Sequence, residues 1–143
     1  MAVEMLEPDE GWMAGLSAIG RETADAVALK KTMRLDLVGL VEAWVASVRT
    51  IVDGAGEDYY DDYYIYVSWR EDIDTVLAAL PEADASIIRK AIEQADTGFR
   101  NHTVDDGGEA LSRKFTVKTD RWYWRRVPVR GPIARSLGTA EVG

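Results

Sequence analysis

The chain contains no cysteine among its 143 residues. That excludes disulfides, a thiolate nucleophile and every cysteine-based zinc or iron–sulfur site. Histidine is almost missing as well, since His102 stands alone. A Ser-His-Asp arrangement would need it as the base, and no nucleophile elbow accompanies it. His102 is therefore expected to be a hydrogen-bonded or solvent-facing side chain. Phosphate-binding glycine loops are lacking too. "DGAGED" follows a helical pattern rather than a strand, and "DDGGE" lacks the spaced ligands of a calcium loop. The longest early uncharged stretch, "GWMAGLSAIG", is far shorter than the roughly 20 residues that span a bilayer. The acidic start "MAVEMLEPDEGW" has no basic segment leading into an apolar one. The expectation is a cytoplasmic protein with no cofactor, no metal and no membrane partner.

What is present is an ordinary globular balance. Hydrophobic residues make up 47% and charged residues 29%, enough for one core. The expected organisation is a single domain over residues 1–135 with a flexible tail at 136–143. The net charge of −8 conceals an asymmetry. Residues 1–112 hold 23 acids against 9 bases. Residues 113–135 hold 8 bases against one acid, Asp120. An acidic protein repels nucleic acid at long range, although its C-terminal segment need not.

Helical spacing begins after Pro8, with Trp12, Leu16, Ile19, Thr23, Ala26 and Val27 at intervals of three and four. A second stripe follows at Leu37, Val41, Trp44, Val48 and Ile51. Lys30, Lys31 and Arg34 interrupt the pattern, and one helix over 9–52 would be about 65 Å long. Two helices meeting near residues 30–34 are expected. Tyr63 to Trp69 is β-branched or aromatic and reads as a strand, with Tyr63, Ile65, Val67 and Trp69 on one side. Two helices come next, with Ile73, Val76, Leu77 and Leu80 buried in one and Ile87, Ile88, Ala91, Ile92 and Ala95 in the other. "FRNHTV", "ALSRKFTV" and "RWYWRRVPV", separated by turn signals, predict a C-terminal three-strand meander. Pro128 places the end of the last strand on an edge. The sum is an α+β fold with a mostly antiparallel sheet.

Two aromatic segments invite a functional reading. "EDYYDDYYIYVSW" contributes Asp58, Tyr59, Tyr60, Asp61, Asp62 and Tyr64. "RWYWRRVPVR" contributes Trp122, Trp124, Arg125 and Arg126. Tyrosine, tryptophan and arginine dominate interface hot spots, and carboxylates steer a basic partner by charge. The leading expectation is a non-enzymatic acidic interaction domain that binds a basic protein, or itself as a homodimer through complementary segments. By analogy of surface character alone, inhibitors of basic proteins such as antitoxin and immunity proteins fit this description. Two alternatives remain open. One is a small enzyme or ligand-binding domain with a pocket lined by Tyr66, Trp69 and Trp124, or with paired carboxylates among Asp58, Asp61, Asp62, Glu71, Asp72 and Asp74. The other, less favoured, is single-stranded nucleic acid stacked on the basic-aromatic strand. The arginines can also serve inside the fold, neutralising the chain's own acids.

Overall fold

Ser17 and Asp36 are extended residues whose side-chain oxygens accept the backbone N–H three residues on, from Gly20 and Gly39, both at 2.9 Å. Each opens a helix, because an N-cap oxygen satisfies a donor that the first turn leaves over. The computed structural model describes residues 10–54 and 58–141. Among these it contains six α-helices: α1 (Ala18–Thr32), α2 (Leu37–Asp53), α3 (Tyr60–Ala78), α4 (Glu82–Asn101), α5 (Glu109–Ser112) and α6 (Gly131–Leu137). Two three-residue strands, β1 (Thr103–Asp105) and β2 (Arg126–Pro128), pair antiparallel, with Val104 opposite Val127. Short 3₁₀ turns occupy Glu10–Gly15 and Trp122–Arg125.

The fold is thus largely helical, and the expected α+β architecture with a three-strand meander is corrected. Tyr63 to Trp69 lies inside α3. Its buried residues are Tyr63, Val67, Arg70, Ile73 and Val76, a spacing of three and four, while Ile65 is left 46% exposed. Strand propensity is a weak prior that packing overrides. Here the helix also has a strong start: the Asp62 carboxylate accepts the Tyr59 N–H at 2.9 Å, and Asp61 and Asp62 complement the helix dipole. The first half of "FRNHTV" is the end of α4 and only Thr103 and Val104 belong to a strand, β1; "ALSRKFTV" holds most of α5, and most of "RWYWRRVPV" is a 3₁₀ turn followed by β2. Asp105 and Asp106 accept backbone N–H groups of Gly107, Gly108 and Ala110, so "DDGGE" launches α5 rather than a hairpin.

α2 lies at the centre, packed against α3 and α4. Leu37, Leu40, Val41, Trp44 and Val48 have no surface in water. Trp44 and Tyr63 both meet Phe99 of α4, at ring centroid distances of 5.2 and 6.3 Å. Met33, left-handed at φ 69, ends α1 and separates it from α2. Ile19 and Ala26, expected on the buried side of α1, face outward, and Gly20, Ala24 and Ala28 form its core face instead. At the other end of the chain, α6 buries Ile133, Ala134 and Leu137, so part of the segment read as a tail is helical and packed. No helix among the described residues is long and apolar enough to cross a membrane.

Buried Asp84 joins α4 to the start of α1, accepting from the Ser17 N–H at 2.9 Å and the Ser17 hydroxyl at 2.8 Å. A methyl group on Gly20 would fall 2.2 Å from Asp84 Oδ2. Gly20→Ala should therefore destabilise the protein by about 1–3 kcal/mol in urea unfolding. A gain of about 1 kcal/mol, the usual result for this change inside an exposed helix, would show that the contact is absent.

Candidate functional site

α3 is where the polar side chains converge. Arg70, 6% exposed, meets Asp96 of α4 through Nε at 2.9 Å and Nη2 at 3.1 Å, and Asp74 through Nη1 at 2.5 Å. Trp44 adds its indole N–H to Asp96 at 3.0 Å. Tyr123 donates its hydroxyl to Asp74 at 2.7 Å, and Arg121 approaches the same carboxylate at 3.4 Å. The Arg70 guanidinium also lies over the rings of Trp122 and Tyr123, at 5.8 and 5.3 Å. Burial alone would lower the Arg70 pKa, but Asp96, and Asp74 after it, hold the charge and leave the pKa raised. Next to Arg70 in the chain, Glu71 accepts the Trp124 indole N–H at 3.0 Å and sits 3.7 Å from Lys118.

The basic segment is therefore bound into the fold, largely by the acids of α3. Arg125 faces Asp105 at 3.8 Å. Arg126 gives its donors to the Thr103 hydroxyl and to the carbonyls of Arg100 and Thr103. Trp124 is buried, and half-buried Trp122 is capped by Arg100 at 3.8 Å. Of the expected pocket residues, Tyr66 donates to Asp58, Trp69 lies under Arg34 at 5.9 Å, and Trp124 meets the Tyr64 ring in a tilted contact at 5.3 Å. Tyr66 and Trp69 are neighbours on one side of α3, but Trp124 meets the helix at Tyr64 and Glu71 on another side, so the three do not come together.

The acidic lead-in is placed differently. Tyr59 is 61% exposed and Asp61 is exposed, while Asp58, Asp62 and Tyr64 are half-buried. Tyr60 is held inward by Phe115, by Lys114 over its ring at 4.3 Å, and by Ser136, whose hydroxyl accepts its N–H at 3.0 Å. Asp61, Ile65, Trp69 and Asp72 follow one another along one helical face, with Asp58 and Asp62 beside them. Among the described residues, no ion pair reaches Asp58, Asp61 or Asp62. At the far end of the face, partial burial raises the Asp72 pKa, and Glu71 adds to this against the pull of Lys31.

Two larger hollows lie on the surface of the described residues. A groove of about 370 Å³ is lined by Arg70, Arg89, Lys90, Glu93, Asp96 and Arg100. A cleft of about 600 Å³ lies between the ends of α2 and α4 and β2, with His102, Asn101, Asp53, Arg130 and Glu141 on its walls. His102 donates Nδ1–H to the Gly98 carbonyl at 2.8 Å. No His, Asp or Glu cluster among the described residues is arranged to hold a metal ion. No family model, no curated protein and no solved structure matches the chain. Sequence pattern alone does not reveal Arg70, Asp74 and Asp96 as a unit. Their only signal is that residues 70 and 96 continue the apolar stripes of α3 and α4.

Arg70→Met should strand buried Asp96 and lower stability by about 3–5 kcal/mol in urea unfolding. Arg70→Met with Asp96→Leu should recover much of that loss, and a double variant as unstable as the single one would refute the coupling. A second expectation concerns alkali. Tyr63, Tyr66 and Tyr123 have raised pKa values, in each case first through burial and then through the nearby carboxylates Asp106, Asp58 and Asp74 respectively. In the unfolded chain these phenols ionise near pH 10. The fold holds their protons beyond that, so their contribution to stability is complete below about pH 10 and falls as pH rises further. Phenolate absorbance should rise together with the loss of helical ellipticity. Full ionisation of all tyrosines near pH 10 with the helices intact would contradict this.

Proposed function

We propose that this chain is a non-enzymatic interaction domain of the cytoplasm that binds a basic protein through the first two turns of α3. Asp58, Asp61 and Asp62 steer the partner, and Tyr59 and Ile65 supply the apolar contact. The reading rests on one observation: these carboxylates form no ion pair among the described residues, whereas those at 71, 74 and 96 are matched internally. Exposed Asp61 and half-buried Asp58 and Asp62 beside an exposed tyrosine and isoleucine combine fast charge-steered encounter with an anchor that leaves water on binding. An inhibitor of a basic protein, of antitoxin or immunity type, has this character. Self-association through the acidic and basic segments is less favoured, because Arg121, Arg125 and Arg126 already have partners within the chain. A base-stacking platform meets the same difficulty, since Trp124 is buried.

The test is to capture partners on the immobilised chain, identify them, and measure association kinetics across a range of salt. A basic partner should associate at least about tenfold more slowly with Asp61→Lys, and with a shallower salt dependence. Tyr59→Ala should mainly speed dissociation. Circular dichroism controls for the first turn, where losing Asp61 costs about 0.3–1 kcal/mol. An unchanged association rate and salt slope with Asp61→Lys would sink the assignment.

A further inference from the structure

The outward side of α1 is a surface of another kind. Directly opposite its buried face lie Ile19, Ala26 and Met33, seven residues apart, with Leu29 beside them. Ile19 is 78% exposed, Met33 85% and Leu29 45%. Half of the large hydrophobic side chains left in water among the described residues therefore belong to this helix and its cap. A repeat of seven is the spacing with which one helix keeps an apolar seam against another.

The charges on α1 say what covers that seam. Arg21 pairs with Asp25 at 3.8 Å, and Asp25 also accepts the Leu37 N–H at 3.0 Å. Arg34 lies over Trp69, and Lys31 acts on Asp72. Glu22 and Lys30 are different. They flank Ala26 at four residues on either side, opposite in sign, and no ion pair among the described residues reaches either. We propose that α1 pairs antiparallel with α1 of a second copy of this chain, about a two-fold axis at Ala26. That register sets Ile19 level with Met33 of the second copy, Thr23 with Leu29, and Glu22 with Lys30. The symmetry makes each match twice. A side chain as small as Ala26 at the crossing lets the helix axes approach to the usual 8–10 Å. A parallel, in-register pair would instead set Glu22 against Glu22. The contact uses none of the α3 groups assigned to a basic partner, so either surface can fail its test while the other stands.

Sedimentation equilibrium on the full chain tests this, from low micromolar to near-millimolar concentration. A single helix pair lies at the small end of specific interfaces. The mass should therefore rise from the 15.9 kDa chain toward twice that value, with a dissociation constant in the micromolar range. Ile19→Glu and Met33→Glu, both at exposed positions, should each raise that constant at least about tenfold with circular dichroism unchanged. Glu22→Lys alone and Lys30→Glu alone should weaken the dimer, and the double exchange should restore it. A chain that stays monomeric throughout, or a dimer indifferent to Ile19→Glu, would overturn the proposal. Single charge variants that strengthen the dimer would overturn the antiparallel register.

Discussion

An arginine with 6% of its surface in water must have its charge matched within the fold. Arg70 achieves this with two carboxylates, Asp96 on the neighbouring helix and Asp74 on its own. Each carboxylate then recruits an aromatic donor, Trp44 for Asp96 and Tyr123 for Asp74. The network thereby fixes α2, α3, α4 and the 3₁₀ turn at residues 122–125 relative to one another. The aromatic core forms around it, with Trp44, Tyr63 and Phe99 in contact. A bidentate guanidinium–carboxylate pair is directional in a way that apolar packing is not. It therefore sets the rotation of α3 about its own axis, and with it which acids face outward.

That same network explains what the sequence hid. The helical stripes at 37–51 and 87–95 were readable because their buried positions are apolar, and both α2 and α4 lie where that spacing puts them. α3 was not readable in its first half. Its apolar stripe runs Tyr63, Val67, Ile73, Val76, and the position that joins the two halves is Arg70. A charged residue at a buried position breaks the pattern that periodicity relies on. Tyr63 to Trp69, seen without it, satisfies a strand template equally well. "RWYWRRVPVR" misled for a related reason. Alternation of aromatics and arginines resembles a two-faced strand, whereas here the rings turn toward α3 to reach Glu71, Asp74 and Arg70. The proposed recognition surface was half legible: the separation of exposed Asp61 from structural Tyr63 could be read, but Tyr60 and Tyr64 packing against Phe115 could not.

The charge asymmetry along the chain acquires a structural meaning from these contacts. Part of the positive segment at 113–135 folds back onto acids of the chain, with Lys118, Arg121 and Arg125 meeting Glu71, Asp74 and Asp105. Those opposing signs offset one another locally, and the chain as a whole keeps its net charge of −8. Nearby charges of one sign lower the approach barrier for the other sign and raise it for their own. The acids at the start of α3 lie at the end of a helix whose dipole already favours them. Their exposure thus costs the fold little.

The hydroxyl of Ser136 holds the N–H of Tyr60, across 76 residues of chain. This link has a temporal side. At roughly 5–20 residues per second of synthesis, about 4 to 15 seconds pass between the making of Tyr60 and of Ser136. During that interval the opening turn of α3 lacks one of its ties, while α1 and α2 have all of their residues to hand. A nascent chain would thus finish its acidic surface last. A ligand specific for that surface would tell a completed molecule from one still emerging.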